Sequence, residues 1–350
     1  MGIGRDLGAV GVWGALASAG GASLTCSTAK WGDFWSNFWV CLSYALYLTG
    51  HGVQSRRGDA ALRAIFAISV RSSNNNCMFT YPPVGRCIYC DSRVYDERNT
   101  PPHTEHIIPE GLGGELILPQ ASCLKCEGAT SSFEGTCLRR LYGPLRVHYG
   151  LPSKRIKDRP TTLPVEVRFS DTDIRSVEVP VAEHPSVIAL IVMNPATLIG
   201  RGRVDGDQQI IAQYLPAGNI LASAKLADVR LRAIAKRTGA LQAHTKHPIV
   251  INEHKLMLAK IGHAYATAEL GVDRFFPFLN HIIRRKDGSG LSLYVGSSDA
   301  PFSDKVFKKI SHKLSIEFTR KGKIEIVVVR IRLFDNLAHP EYLVAVGRLY

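Results

Sequence analysis

The chain has 350 residues, 45% of them apolar and 21% charged, so it is long enough for a packed core and too apolar to be largely disordered. Its 31 glycines and 18 prolines follow no collagen-like period, which excludes a fibrous chain. The formal charge of +13 favours an anionic partner, nucleic acid before membrane surface. That charge is unevenly placed: six cations face three anions in residues 1–77, seven face eight in 78–150, and thirty face nineteen in 151–350.

Taken in chain order, residues 1–77 differ in composition from the rest. All four tryptophans, Trp13, Trp31, Trp35 and Trp39, lie there. Residues 34–50 carry no formal charge, at the lower edge of a membrane span, but Ser36, Asn37, Ser43 and Thr49 make an amphipathic or buried helix the expectation. Arg5 ahead of the apolar residues 7–17 has the outline of a weak secretory signal, with Asp6 and the glycine interruptions against it. A third reading takes Met78, just after the polar run 71–76, as the natural start and 1–77 as an upstream extension.

Residues 78–150 carry the motifs. Four of the eight cysteines form two pairs of the same spacing, Cys87-x-x-Cys90 and Cys123-x-x-Cys126, with 32 residues between them, while Cys26, Cys41, Cys77 and Cys137 show no such pairing. Two knuckles in a chain of this size predict a tetrahedral thiolate zinc site rather than a disulfide framework, and with it a reducing, cytoplasmic setting. Between them sits Glu105-His106, followed by Pro109 and a glycine-rich stretch, 111–114. Neighbours in an extended segment face opposite sides, so this pair meets one small site only if a bulge or strand end turns one of them.

The combination C-x-x-C, E-H-I-I-P with L-G-G, and L-P-x-A-S-C-x-x-C over residues 87–141 resembles the HNH endonuclease family, the zinc-stapled type within the ββα-metal nucleases. The resemblance implies a strand ending near Glu105-His106, a second over 115–118, and a helix over 124–141 with Phe133, Cys137, Leu138 and Leu141 as its apolar stripe. It makes His106 the general base, Glu105 the acid that holds a catalytic magnesium or manganese ion, and the four-cysteine zinc structural. Two positions depart from the pattern. Glu127 stands where the family has His or Asn, either as a replacement metal ligand or as a solvated helix residue. The family's middle Asn falls near Leu118, with Gln120 the nearest amide. His103 reads as a solvated loop histidine, and Lys125, Arg139, Arg140 and Arg146 are candidate nucleic-acid contacts.

From residue 151 the pattern is α+β. Alternation predicts strands over 165–169 and 176–179, and apolar runs predict strands at 187–193 and 208–214. Helical spacing covers 225–236 and 255–270, where Leu256, Leu258, Ala259, Ile261, Ala264 and Ala268 line one side and Gly271 is the stop. Strands return at 291–295, 314–319, 324–333 and 342–346, with a basic hairpin tip at 320–323. Lys305, Lys308, Lys309 and Lys313 have the spacing of a short helix face.

The expected architecture is therefore a small zinc-stapled ββα-metal module at 78–150 followed by a larger basic α+β domain at 151–350 that positions substrate or partner. The leading expectation is a metal-dependent endonuclease acting on DNA, most simply duplex, with no small-molecule cofactor and no membrane partner. The alternative is a zinc-stapled nucleic-acid-binding module without cleavage. A zinc ribbon that only docks proteins leaves the Glu105-His106 segment unexplained.

Overall fold

The computed structural model describes residues 23–25, 66–71, 78–153, 156–185, 187–200, 209–214, 220–298, 310–337 and 339–350. The segments 7–17 and 34–50, together with Cys26, Cys41, Cys77, Lys305, Lys308 and Lys309, lie outside the described residues.

The first sheet gathers the motif segment. Its strands are β1 (Ser23–Thr25), β3 (Met78–Thr80), β4 (His103–His106) and β5 (Leu116–Ser122), in the order β1-β3-β5-β4; β2 (Phe66–Arg71) belongs to another sheet. β4 and β5 are antiparallel, and β3 runs parallel to β5. Leu116, Leu118 and Ala121 turn the inner side of β5 to the core. Helix α1 (Leu124–Thr136) starts directly after Cys123 and widens into a π turn at Cys137–Leu141 before the short α2 (Gly143–His148), so the helix expected over 124–141 is present with its last turn rewound.

The remaining chain builds two smaller units and one large one. Strands β6 (Thr162–Arg168) and β7 (Ile174–Pro180) pair in full register, and β8 (Val187–Val192) pairs with β9 (Gln209–Tyr214). Helix α3 (Ile220–Thr238) leads to β10 (Gln242–His244), which adds to the edge of β6; Ile234 packs on Val165, Val167 and Val179. Then follow α4 (Ile251–Leu270), β11 (Phe275–Pro277), α5 (Asn280–Arg285), β12 (Val295–Ser297), β13 (Ser311–Lys321), β14 (Ile324–Arg332) and β15 (Glu341–Leu349). The large sheet has the order β11-β15-β14-β13-β2, with β12 also on β15, and all its pairings are antiparallel.

The helices at 225–236 and 255–270 thus fall inside α3 and α4, and the hairpin is β13-β14, turned at Gly322 with φ of 65°. Two expectations change. Gly290, at φ 74°, opens a 3-10 turn at Leu291–Leu293, so only Val295–Ser297 pairs as a strand. Lys313 belongs to β13, where period two replaces the helical period read for it.

Helix α4 is central. Every residue from His254 to Thr267 is buried, as expected of a helix enclosed on all sides, because α1 and α5 cover one flank and β14 and β15 the other. Gly262 permits the close approach of the sheet, since a Cβ there would lie 3.0 Å from Val344 Cγ1. One contiguous core runs from Tyr81 through Leu118, Phe133 and Tyr265 to Val346, so the packing continues across the boundary expected near residue 150. No described helix is long and apolar enough to cross a membrane.

Four histidines are sealed in this core. Burial lowers His254 and His339 to about 3 and His263 and His312 to about 4. His312 also needs its neutral form, because Nδ1 accepts from the Phe334 N–H at 3.2 Å while Nε2 lies 2.9 Å from the Leu112 carbonyl. Unfolded imidazoles take up protons below about pH 6.5 and these do not, so stability is full above that pH and is lost as pH falls toward the folded values. At pH 5 each such group costs up to about 2 kcal/mol. Urea midpoints measured from pH 7.5 to 4.5 should decline steadily below pH 6.5; a flat profile down to pH 5 would contradict the neutral burial of these rings.

Candidate functional site

The first knuckle is placed by β5. Backbone bonds from Phe79 to Glu115, Tyr81 to Ile117, Val84 to Pro119 and Ile88 to Ala121 lay residues 79–88 along that strand at 2.8–3.0 Å. Cys87 therefore arrives where β5 ends, and Cys123 is the next residue after Ser122. The knuckle closes with Asp91 N–H donating to Cys87 O at 2.9 Å and Asp91 itself at φ 63°. Cys126 follows one turn into α1.

All four Sγ atoms lie within 4.8 Å of one another, and Cys90 Sγ is 3.5 Å from Cys123 Sγ. A disulfide needs about 2.05 Å, whereas zinc bonds of about 2.3 Å in a tetrahedron separate the sulfurs by about 3.8 Å. The donor set and its spacing can thus hold a metal ion such as zinc. The thiols are electrostatically frustrated without one: a hydrogen bond from Cys126 pulls Cys87 down to about 5, burial pushes Cys90 up to about 11, and the bond to Cys87 together with burial raises Cys126 much further. A bound dication removes that conflict by stabilising every thiolate at once.

Glu105 and His106 do face opposite sides. The register pairs Glu105 with Leu118 and His106 with Ile117, and the only irregularity precedes them, where β5 spans Leu118 to Ser122 against His103 to Glu105. Gln120, exposed and at φ 52°, forms that bulge, and Leu118 is buried in the core. His106 is half-buried. Glu105 is buried against Lys260 of α4, whose Nζ lies 2.5 Å from Glu105 Oε1 and 2.9 Å from Glu134 Oε1. The same ammonium donates to the His106 carbonyl and, at 3.4 Å, to that of Ile107. Burial opposes the charge on Lys260, but the two carboxylates hold its pKa above the ordinary lysine range, while burial pushes the Glu134 carboxyl upward.

The first knuckle and the loop after β4 are tied down in the same way. His263 of α4 lies with Nε2 2.9 Å from the Ile88 carbonyl in the knuckle, and His312 of β13 holds Leu112 in the loop. Gly114 sits so close to Ile108 that a Cβ would come within 2.1 Å of its carbonyl oxygen, which explains the second glycine of L-G-G; the first, Gly113, has φ of 82°.

Glu127 takes a different place. Its half-exposed carboxylate accepts from Tyr95 OH at 2.8 Å, and His103 Nδ1 lies 3.6 Å away. His103 belongs to β4 and stacks on the Tyr95 ring with centroids 3.4 Å apart, so it is not the loop residue its prolines suggested. The hydrogen bond to Glu127 lifts the Tyr95 phenol to about 12. The two acids read as partners in one metal site are thus separated, Glu105 to the buried lysine and Glu127 to the surface. Among the described residues the four cysteines are the one group of three or more His, Cys, Asp or Glu placed to share a metal ion. A magnesium-type ion keeps most of its waters and needs one or two carboxylates; Glu127 is half-exposed, whereas Glu105 is buried against Lys260.

Of the basic candidates, Lys125, Arg139 and Arg140 are exposed, whereas Arg146 clasps three carbonyls, those of Gly111 (2.7 Å), Leu138 (3.3 Å) and Pro152 (3.0 Å). Lys260, Glu134, His263 and His312 escaped the reading of the sequence. The available signal was Lys260 itself, a lone cation amid the apolar centre of α4.

Two outcomes follow from this geometry. Purified protein should carry one zinc ion per chain, and Cys126→Ser should lose it and unfold at lower temperature; a metal-free yet equally stable wild-type chain would contradict the cluster's role. Lys260→Met leaves two buried carboxylates facing each other without a cation and should cost about 3–5 kcal/mol in urea unfolding.

No family model matches the chain, no curated protein matches it, and no solved structure matches it.

Proposed function

We propose that the chain is a zinc-stapled HNH-type endonuclease, built on a ββα-metal unit of β4, β5 and α1, that hydrolyses DNA phosphodiester bonds. The observation that carries this reading is the joint between hairpin and helix: the strand pair bearing His106 leads directly into the helix bearing Glu127, and the four thiols gather at that joint. Zinc held by four thiolates has no open position for water, so it is structural in this reading. His106 takes the proton of the attacking water, work suited to a neutral imidazole near physiological pH. Glu127 would hold a divalent ion, magnesium or manganese. When bound, such an ion would supply positive charge against the transition state and the leaving 3′-oxygen. Glu105 acts through Lys260 to fix the strand that presents His106.

A second reading, a nucleic-acid-binding module without cleavage, is favoured by one observation: Glu105, at the place of the family's metal-binding acid, is engaged by Lys260. Nicking of supercoiled plasmid with added magnesium or manganese separates the two. The nuclease should nick, and His106→Ala should slow it about 100-fold or more while zinc content stays unchanged. Glu127→Gln should lose the dependence on added metal together with most of the rate. Undiminished nicking by His106→Ala would remove the base assignment, and no nicking by wild type with either metal would favour the second reading.

A further inference from the structure

A concave surface lies apart from the thiol cluster, where the π turn and α2 meet residues 151–153, 158–164 and 246–248. It encloses about 360 Å3. Arg139, Arg140, Arg146, Arg159 and Lys246 line it against a single carboxylate, Asp158, and its floor is apolar, with Leu138, Val147, Leu163 and four prolines. Lys246 is offset by Glu166 at 2.9 Å, so the arginines set the charge.

Those arginines are held without being neutralised. Arg146 donates to three backbone carbonyls, and Arg159 donates to those of Gly150 at 3.1 Å and Leu151 at 2.7 Å. A carbonyl orients a guanidinium and leaves its charge uncancelled. Burial and the neighbouring charge of Arg159 both lower the pKa of Arg146, the sign expected where two cations are fixed side by side without an anion. Arg139 and Arg140 are exposed on the rim.

Fixed cations above an apolar floor match a ligand that carries phosphates and flat apolar faces together. A duplex hides its base faces within the stack, so an unpaired strand is the form that can offer both to a cavity of this size. We propose that this groove binds a single-stranded stretch of nucleic acid, with phosphates on Arg139, Arg140 and Arg159 and base faces on the prolines and leucines. No aromatic ring lines the groove, so binding is dominated by phosphates and tolerant of sequence. The inference rests on the nucleic-acid part of the proposed function and not on cleavage.

The test uses the full-length zinc-loaded protein without added magnesium or manganese. The probe is a fluorescein-labelled, mixed-sequence deoxyoligonucleotide of about 12 nucleotides, compared with its duplex. Wild type should bind the single strand more tightly than the duplex. Arg139→Glu with Arg140→Glu should weaken single-strand binding at least about tenfold and reduce the slope of log K against log salt by about 1.4, the loss of two phosphate contacts. Arg320→Glu with Lys321→Glu, an equal charge change at the β13-β14 tip outside the groove, should stay within about twofold of wild type. The groove is overturned by equal losses in the two double variants, by duplex preference, or by no strand binding at all. Plasmid nicking by wild type that the groove variant leaves intact, with no strand binding, would sink the groove and spare the nuclease; groove-dependent binding without nicking would do the reverse.

Discussion

The ammonium of Lys260 is the point on which the two halves of the chain depend. It is fully enclosed, and an isolated ammonium in such a place would cost several kcal/mol. Four oxygens offset that cost, and all of them come from the motif segment: the carboxylates of Glu105 and Glu134 and the carbonyls of His106 and Ile107. Hence α4 cannot bury its middle turn unless β4 and α1 are docked on it. The constraint runs both ways, because Glu105 and Glu134 are buried against α4 and need its ammonium there. An ion pair of this kind contributes little net stability compared with an apolar substitute, but it specifies one arrangement by making every alternative docking strand a charge.

The position of His106 follows from that arrangement. The four-cysteine cluster lies at one end of the motif, where β5 meets α1. Lys260 grips the His106 carbonyl, His263 the knuckle and His312 the loop after β4, so the far end is held by three side chains from the C-terminal half. Each of these reaches a backbone carbonyl, and Lys260 pairs with the Glu105 and Glu134 carboxylates as well. The strand is thus located in large part by its main chain.

How much of this was legible in the sequence depends on the range of the interaction. The thiol cluster was legible because a tetrahedral ion demands four donors and the duplicated spacing supplies them. Helices α3 and α4 and the β13-β14 hairpin were legible because apolar periodicity is local. The opposite orientation of Glu105 and His106 also followed from period two alone. Lys260 was not legible as a partner of Glu105, since 154 sequence positions separate it from His106 and no local pattern encodes a distant ion pair. A helix with apolar residues on every side and one lysine at its centre poses the question, but only the packing names the carboxylates. The strand expected at 291–295 failed for a local reason, the left-handed Gly290 that opens a turn.

The buried triad also changes what the charge distribution means. Residues 78–150 carry seven cations against eight anions, which makes the motif segment look indifferent to phosphate. Two of those anions, Glu105 and Glu134, are turned inward and matched by a lysine from the other half of the chain. Arg86 is likewise matched by Asp273 of the other half, so six cations and six anions remain, Glu127 among them at the site proposed for a divalent cation. The groove beside α2 extends the same logic, because its guanidiniums are fixed by neutral carbonyls and keep their full charge. The charge a surface presents is thus set less by the number of basic residues than by where the acidic ones are placed.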